Sequence, residues 1–153
     1  MSKWSKTRET EKQLRADAAF FNLKGDDLFA SPSRKILIVD DEKEIRELVR
    51  ETVMIDNFEI LEADTGDTAY DMILKEHPDL IILDVKMPGE MDGVSLTQKI
   101  KTDPSMRNIP VILLTAVPVD LEQDSRLNPD AIFYKPFSPM DLLDRISDMF
   151  GEY

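Results

Sequence analysis

After residue 34, five short apolar runs alternate with stretches of helical periodicity, and that alternation leaves few folds open. The runs are Lys35–Val39, Phe58–Leu61, Leu80–Leu83, Ile109–Leu114 and Ala131–Tyr134. Leu80–Leu83 has no apolar–polar alternation, which suits a strand covered on both faces by helices. Between the runs, residues 43–53 place Ile45, Leu48, Val49 and Val53 on one helical side, and Asp67–Lys75 does the same with Ala69, Tyr70, Ile73 and Leu74. A third helix is predicted over Val94–Lys101, ending before Asp103-Pro104, and a weak one between Asp120 and Leu127. Ser138-Pro139-Met140-Asp141 has a capping-box pattern and opens a last helix carrying Leu142, Leu143, Ile146, Met149 and Phe150. Five βα units predict a doubly wound parallel α/β sheet with right-handed crossovers.

In such a sheet, chemistry collects just beyond the carboxyl ends of the strands. Those ends carry Asp40 and Asp41 after strand one, Asp84 after strand three, Thr115 after strand four and Lys135 after strand five. Asp84 closes its run and is followed at once by the loop residues Pro88, Gly89 and Asp92-Gly93. With strand one beside strand three, three carboxylates converge and repel one another. A hard divalent cation with oxygen ligands relieves that repulsion, and Mg²⁺ is suited because it keeps waters and pairs with phosphoryl oxygens. Asp84 is then a carboxylate nucleophile toward phosphorus. Lys135 offers a point charge and Thr115 a hydroxyl to the transferred group's oxygens.

Composition narrows the class further. Residues 35–153 hold twelve Lys/Arg against twenty-six Asp/Glu, so this part is net −14 and repels nucleic-acid backbones. There is no Cys, which excludes disulfides and thiolate chemistry and suits a cytoplasmic location. No run approaches the ~20 apolar residues of a membrane span. Residues 1–34 form a separate piece with net charge +2: a helix over 5–23 with Leu14, Ala18 and Phe21 on one face and Phe20 beside them, Gly25 at its end, then a linker to Ser33. The α/β domain is expected over 35–153, with any output carried by it or by the N-terminal extension.

Four motifs, ILIVDDE (36–42), LIILDVKMPGEMDG (80–93), VILLTA (111–116) and YKPFSP (134–139), together resemble the receiver domain of two-component response regulators. The resemblance covers residues 35–150. It implies a flavodoxin-like (βα)5 sheet of order 2-1-3-4-5 and a stand-alone phosphorylation switch rather than an enzyme. It implies Asp84 as phosphoacceptor, Asp41 as direct Mg²⁺ ligand, Asp40 as the acid acting through water, and the Lys86 backbone carbonyl as a third protein ligand. Thr115 and Lys135 match the residues that read the phosphoryl group. The implied partners are a histidine kinase or phosphotransfer protein and an output protein; separately, the N-terminal helix is expected to cover a face of the domain or to mediate a homodimer, for which the strand 4–helix 5 face is the other candidate.

The chain departs from the family pattern in three places. The loop after Asp84 has one extra residue within Gly89-Glu90-Met91, and the segment from Thr115 to Lys135 is about two residues short. The position often occupied by an aromatic switch residue is Ile132. The last two motivate a competing expectation, a receiver-like interaction module independent of phosphate. A Mg²⁺-dependent phosphohydrolase is a third, disfavoured by the lack of a second acid close after Asp84. Taken singly, Asp40 or Asp41 would cap the helix at 43–53, and Met72, Met87, Met140 and Met149 would pack. His77, the only histidine, ends a helix before Pro78 and reads as structural.

Overall fold

The computed structural model describes residues 33–54, 57–121 and 127–151. Five parallel strands form one sheet: β1 Arg34–Val39, β2 Phe58–Ala63, β3 Leu80–Leu83, β4 Val111–Thr115 and β5 Ala131–Tyr134, in the order β2-β1-β3-β4-β5. The described helices are α1 Lys43–Val53, α2 Gly66–Glu76, α3 Gly93–Thr102 and α4 Pro139–Phe150. The predicted order and the doubly wound plan are both found. The helix expected within 1–34 lies outside the described residues, as does most of the one expected at 120–127.

The pattern of burial explains the strand sequences. β3 and β4, in the middle, are buried at every position, whereas the outer strands β2 and β5 are half-buried along most of their length. Alternate residues of the central strands (Leu37, Val39, Ile81, Leu83, Val111, Leu113) join Ala69 and Ile73 of α2 and Leu96 and Ile100 of α3 in one core cluster. Val49 and Val53 of α1 are fully buried, and α1 packs on β1 and β2. The compact unit that holds the sheet spans Arg34–Leu143. Within it α4 starts with Ser138 Oγ accepting from Asp141 N–H at 3.3 Å, the contact the capping pattern predicted.

Several local expectations need correction. β4 begins at Val111, not Ile109. Pro110 has no N–H to give a ladder, though its carbonyl accepts from Ile81 N–H at 3.0 Å. β2 runs two residues further than predicted, to Ala63, because it stays paired with β1 up to Val39. Leu48 and Leu74 sit at the rims of their helical stripes and are exposed, while Thr52 is buried with its hydroxyl donating to the Leu48 carbonyl at 2.8 Å. Met140 is 61% exposed, so it does not pack as expected. Helix α1 has Glu42 at its N-cap, without a side-chain cap. Asp40 instead accepts from Glu42 N–H at 2.8 Å.

Candidate functional site

β1 and β3 are neighbours although they are not consecutive, so the crossovers leave in opposite directions from their carboxyl ends. Val39 pairs with Leu83, and Asp84 N–H donates to the Val39 carbonyl at 2.9 Å. Asp40 and Asp84 are therefore brought side by side by strand register. On the other flank Thr115 pairs with Tyr134, and Lys135 N–H donates to the Thr115 carbonyl at 2.9 Å. All four strand ends predicted to converge do so.

A pocket of about 510 Å³ opens there, lined by Asp41, Glu42, Asp84, Lys86, Met87, Pro88, Thr115, Ala116, Val117 and Lys135. Asp84 is 5% exposed, Asp40 2% and Thr115 not at all, whereas Asp41 and Glu42 face solvent. Carboxylate oxygens of Asp40, Asp41, Glu42 and Asp84 all lie within 4.8 Å of one another. Glu42 is the addition to the predicted set, although its place in the Asp40-Asp41-Glu42 run was a signal available in the sequence. Lys86 has an exposed side chain, as expected if only its backbone matters.

Lys135 holds this acidic group together. Its Nζ donates to Asp40 Oδ2 at 2.8 Å and lies 3.5 Å from Asp84 Oδ2 and 3.6 Å from Glu42 Oε1. Its closest partner is thus Asp40, not Asp84. Burial works to lower the lysine's pKa, but the bond to Asp40 and the charges of Asp40, Asp84 and Glu42 outweigh it and the value is raised. Burial raises Asp40, against the pull of Lys135 and of the Glu42 N–H. Burial raises Asp84 as well, the neighbouring Asp40 charge adds to it, and Lys135 with the Lys86 and Val85 N–H groups opposes it. Thr115 Oγ1 accepts from Val117 N–H at 3.1 Å, so its hydroxyl is engaged with its own loop. Arg46, which the sequence reading did not single out, donates from Nη1 to the Asp40 carbonyl at 2.7 Å and fixes the start of the acidic run.

An all-oxygen, four-carboxylate set matches a hard divalent cation such as Mg²⁺ and does not match a soft metal. Two raised carboxylates beside a single lysine leave surplus negative charge that such a cation would neutralise.

Fold and site together define a flavodoxin-like (βα)5 domain with an acidic pocket at its topological switch point. The chain belongs to the response regulator receiver domain family, whose model matches residues 36–147. It is 40% identical over 114 residues to a probable transcriptional regulator, ycf27, of Galdieria sulphuraria, an alignment covering 73% of this chain and 43% of that protein. It is 38% identical over 123 residues to sporulation initiation phosphotransferase F of Bacillus subtilis, covering 79% of this chain and 94% of that protein. The chain spans about half the length, or less, of most of the curated relatives it matches. Among solved structures, the chemotaxis response regulator CheY4 of Vibrio cholerae superposes with a TM-score of 0.67 at 27% identity, over 77% of this chain and 99% of that one. The receiver domain of a signal transduction histidine kinase from Syntrophus aciditrophicus gives 0.69 at 30% identity, over 78% and 91%. Receiver domains work in two-component signalling and are not enzymes in the usual sense. Among the described residues, no helix is long and apolar enough to cross a membrane.

Proposed function

We propose that Asp84 accepts a phosphoryl group from a histidine kinase or phosphotransfer protein and that the modified domain binds its output partner differently. The observation that carries this is the juxtaposition of a buried carboxylate, three further acids and a lysine amine in one open pocket. An Asp84 carboxylate oxygen attacks phosphorus, the P–N bond of the donor phosphohistidine breaks, and its electron pair returns to the imidazole. Asp40, Asp41, Glu42, Asp84 and the Lys86 carbonyl are the groups proposed to hold Mg²⁺, which when bound supplies charge neutralisation for the phosphoryl oxygens. The Val85 and Lys86 N–H groups orient the Asp84 carboxylate. Lys135, 3.5 Å away, turns from Asp40 to the new dianionic group, and Thr115 exchanges its bond to Val117 for a phosphoryl oxygen.

Incubation with a small phosphodonor and Mg²⁺ tests this. Wild type is expected to take up one phosphoryl group, with uptake abolished by Asp84→Asn and by chelation. A folded wild-type protein that takes up none contradicts it.

One observation favours a second reading, a phosphate-independent interaction module. Ile132 is half-buried against the core cluster, and Tyr134, the aromatic two residues on, is half-exposed. No aromatic ring therefore stands at the position from which many receivers answer Thr115. Output binding that is equal for wild type and Asp84→Asn under phosphorylating conditions favours this module; binding that differs favours the switch.

A further inference from the structure

The loop after Asp84 is held at both ends. Gly93 N–H donates to the Val85 carbonyl at 2.8 Å, closing residues 85–93 on themselves. A Cβ at Gly93 would overlap the Asp84 carbonyl oxygen and stand 2.6 Å from Val85 Cα, so only glycine lets α3 begin there. The far side of the loop rests on the first turn of α2. A Cβ on Gly66 would overlap the Met91 carbonyl oxygen and stand 3.0 Å from its carbonyl carbon. Gly89, at φ +100, would place a Cβ 3.5 Å from Asp67 Oδ2. At Gly66 the helix start and the loop thus meet backbone to backbone, at the Met91 peptide, and a backbone carbonyl cannot rotate aside as a side-chain tip can.

The two partners are not equally able to yield. The start of α2 is fixed by Thr65, whose hydroxyl accepts from Thr68 N–H at 3.1 Å, and by Ala69 and Ile73 in the core. Lys86, Pro88, Gly89 and Glu90 of the loop are exposed, while Met91 is half-buried against the core and Met87 lies in it, so the loop yields at its exposed tip. Any atom added at Gly66 therefore displaces the loop. That loop carries the Lys86 carbonyl and the two N–H groups that orient Asp84.

We propose that Gly66 is a positioning residue for the phosphorylation site, acting through the 86–91 loop from a different helix. The inference rests on the reading of Lys86 and Asp84 as metal ligand and phosphoacceptor. In effect the α2 start is a stop against which the loop is set.

Gly66→Ala, assayed in the full chain, separates this from a merely structural role. Calorimetric Mg²⁺ titration is expected to show about tenfold weaker affinity, the scale seen when groups that orient metal ligands are altered. Phosphoryl uptake is expected to need correspondingly more Mg²⁺ while its rate at saturating Mg²⁺ falls less. Without metal, the Val85 and Lys86 amides are expected to exchange hydrogen faster than in wild type. Cooperative melting with Mg²⁺ affinity within twofold of wild type and unchanged amide exchange overturns the proposal. Should Gly66→Ala not melt cooperatively in buffer, the same readouts taken on both proteins in sucrose, which strengthens folding, decide: weaker Mg²⁺ binding than wild type supports the stop, and wild-type binding overturns it. A wild type that is phosphorylated beside a variant indistinguishable from it sinks this inference alone. Weakened Mg²⁺ binding and faster exchange, in a protein that never takes up phosphate, uphold the stop and sink the phosphoacceptor reading.

Discussion

At the scale of single residues, the pocket stores electrostatic stress in the metal-free state. Asp40 and Asp84 are held above the ordinary carboxylate value of 3.8, chiefly by burial. Between that value and the raised one, the folded chain binds more protons than the unfolded chain. Stability from these two groups therefore falls as pH rises through that window. Lys135 behaves differently: its raised pKa gives stability that is complete below the ordinary lysine value of 10.5 and is lost as pH rises through its folded value. In chelator, Asp84→Asn is expected to raise stability at pH 7 by about 1 kcal/mol, or roughly 4 °C in Tm. It is also expected to shrink the difference in urea midpoint between pH 4.5 and pH 7. An unchanged or lower midpoint for the variant at pH 7 would show that Lys135 already compensates both acids. Lys135→Met is expected to destabilise the metal-free protein, since it leaves Asp40 buried without its 2.8 Å partner, and added Mg²⁺ should recover part of the loss.

At the scale of elements, each functional side chain is delivered by a strand end, and a capped helix start follows the loop after Asp84. Asp92 caps α3 by accepting from Ser95 N–H at 2.8 Å, directly beside the loop that frames Asp84. Asp92→Ala is expected to cost about 1 kcal/mol by urea denaturation. Local chemistry of this kind was legible in the sequence where the deciding residues are neighbours. β3 and β5 were read to their residues, and the Ser138 cap was found where the pattern put it. It failed where the deciding partner lies far along the chain. Lys101 reaches Asp130 at 2.8 Å and the Ile109 carbonyl at 2.8 Å, and Asp130 also accepts from Val111 N–H at 2.8 Å. These contacts tie the approach to β4 to that of β5, and the two that Asp130 makes span 19 and 29 positions, beyond any local window. Helical periodicity likewise placed Leu48 and Leu74 on apolar stripes, and Met140 was expected to pack, without anything to reveal that these three stay exposed.

At the scale of the whole molecule, strand order creates the site. Because β1 lies between β2 and β3, acids separated by more than forty positions in the chain share a pocket. The convergence of Asp40, Asp84, Thr115 and Lys135 was legible because motif order fixes topology and topology fixes which strand ends meet. Glu42 as a fourth acid was signalled by its place in the acidic run, but Arg46 behind Asp40 and the contact of Gly66 with Met91 were not legible, since they depend on local aim rather than order. The sheet itself tolerates little at its centre: Ile81→Ala, at a fully buried position between β1 and β4, is expected to cost about 2–5 kcal/mol. The most direct measurement of the central claim is a crystal structure with Mg²⁺ and beryllium fluoride. The expected result has beryllium bonded to an Asp84 oxygen, the cation among the acids, and both the Lys135 amine and the Thr115 hydroxyl turned onto fluorides. Beryllium missing from Asp84, or Lys135 still on Asp40 with the cation bound elsewhere, would contradict it.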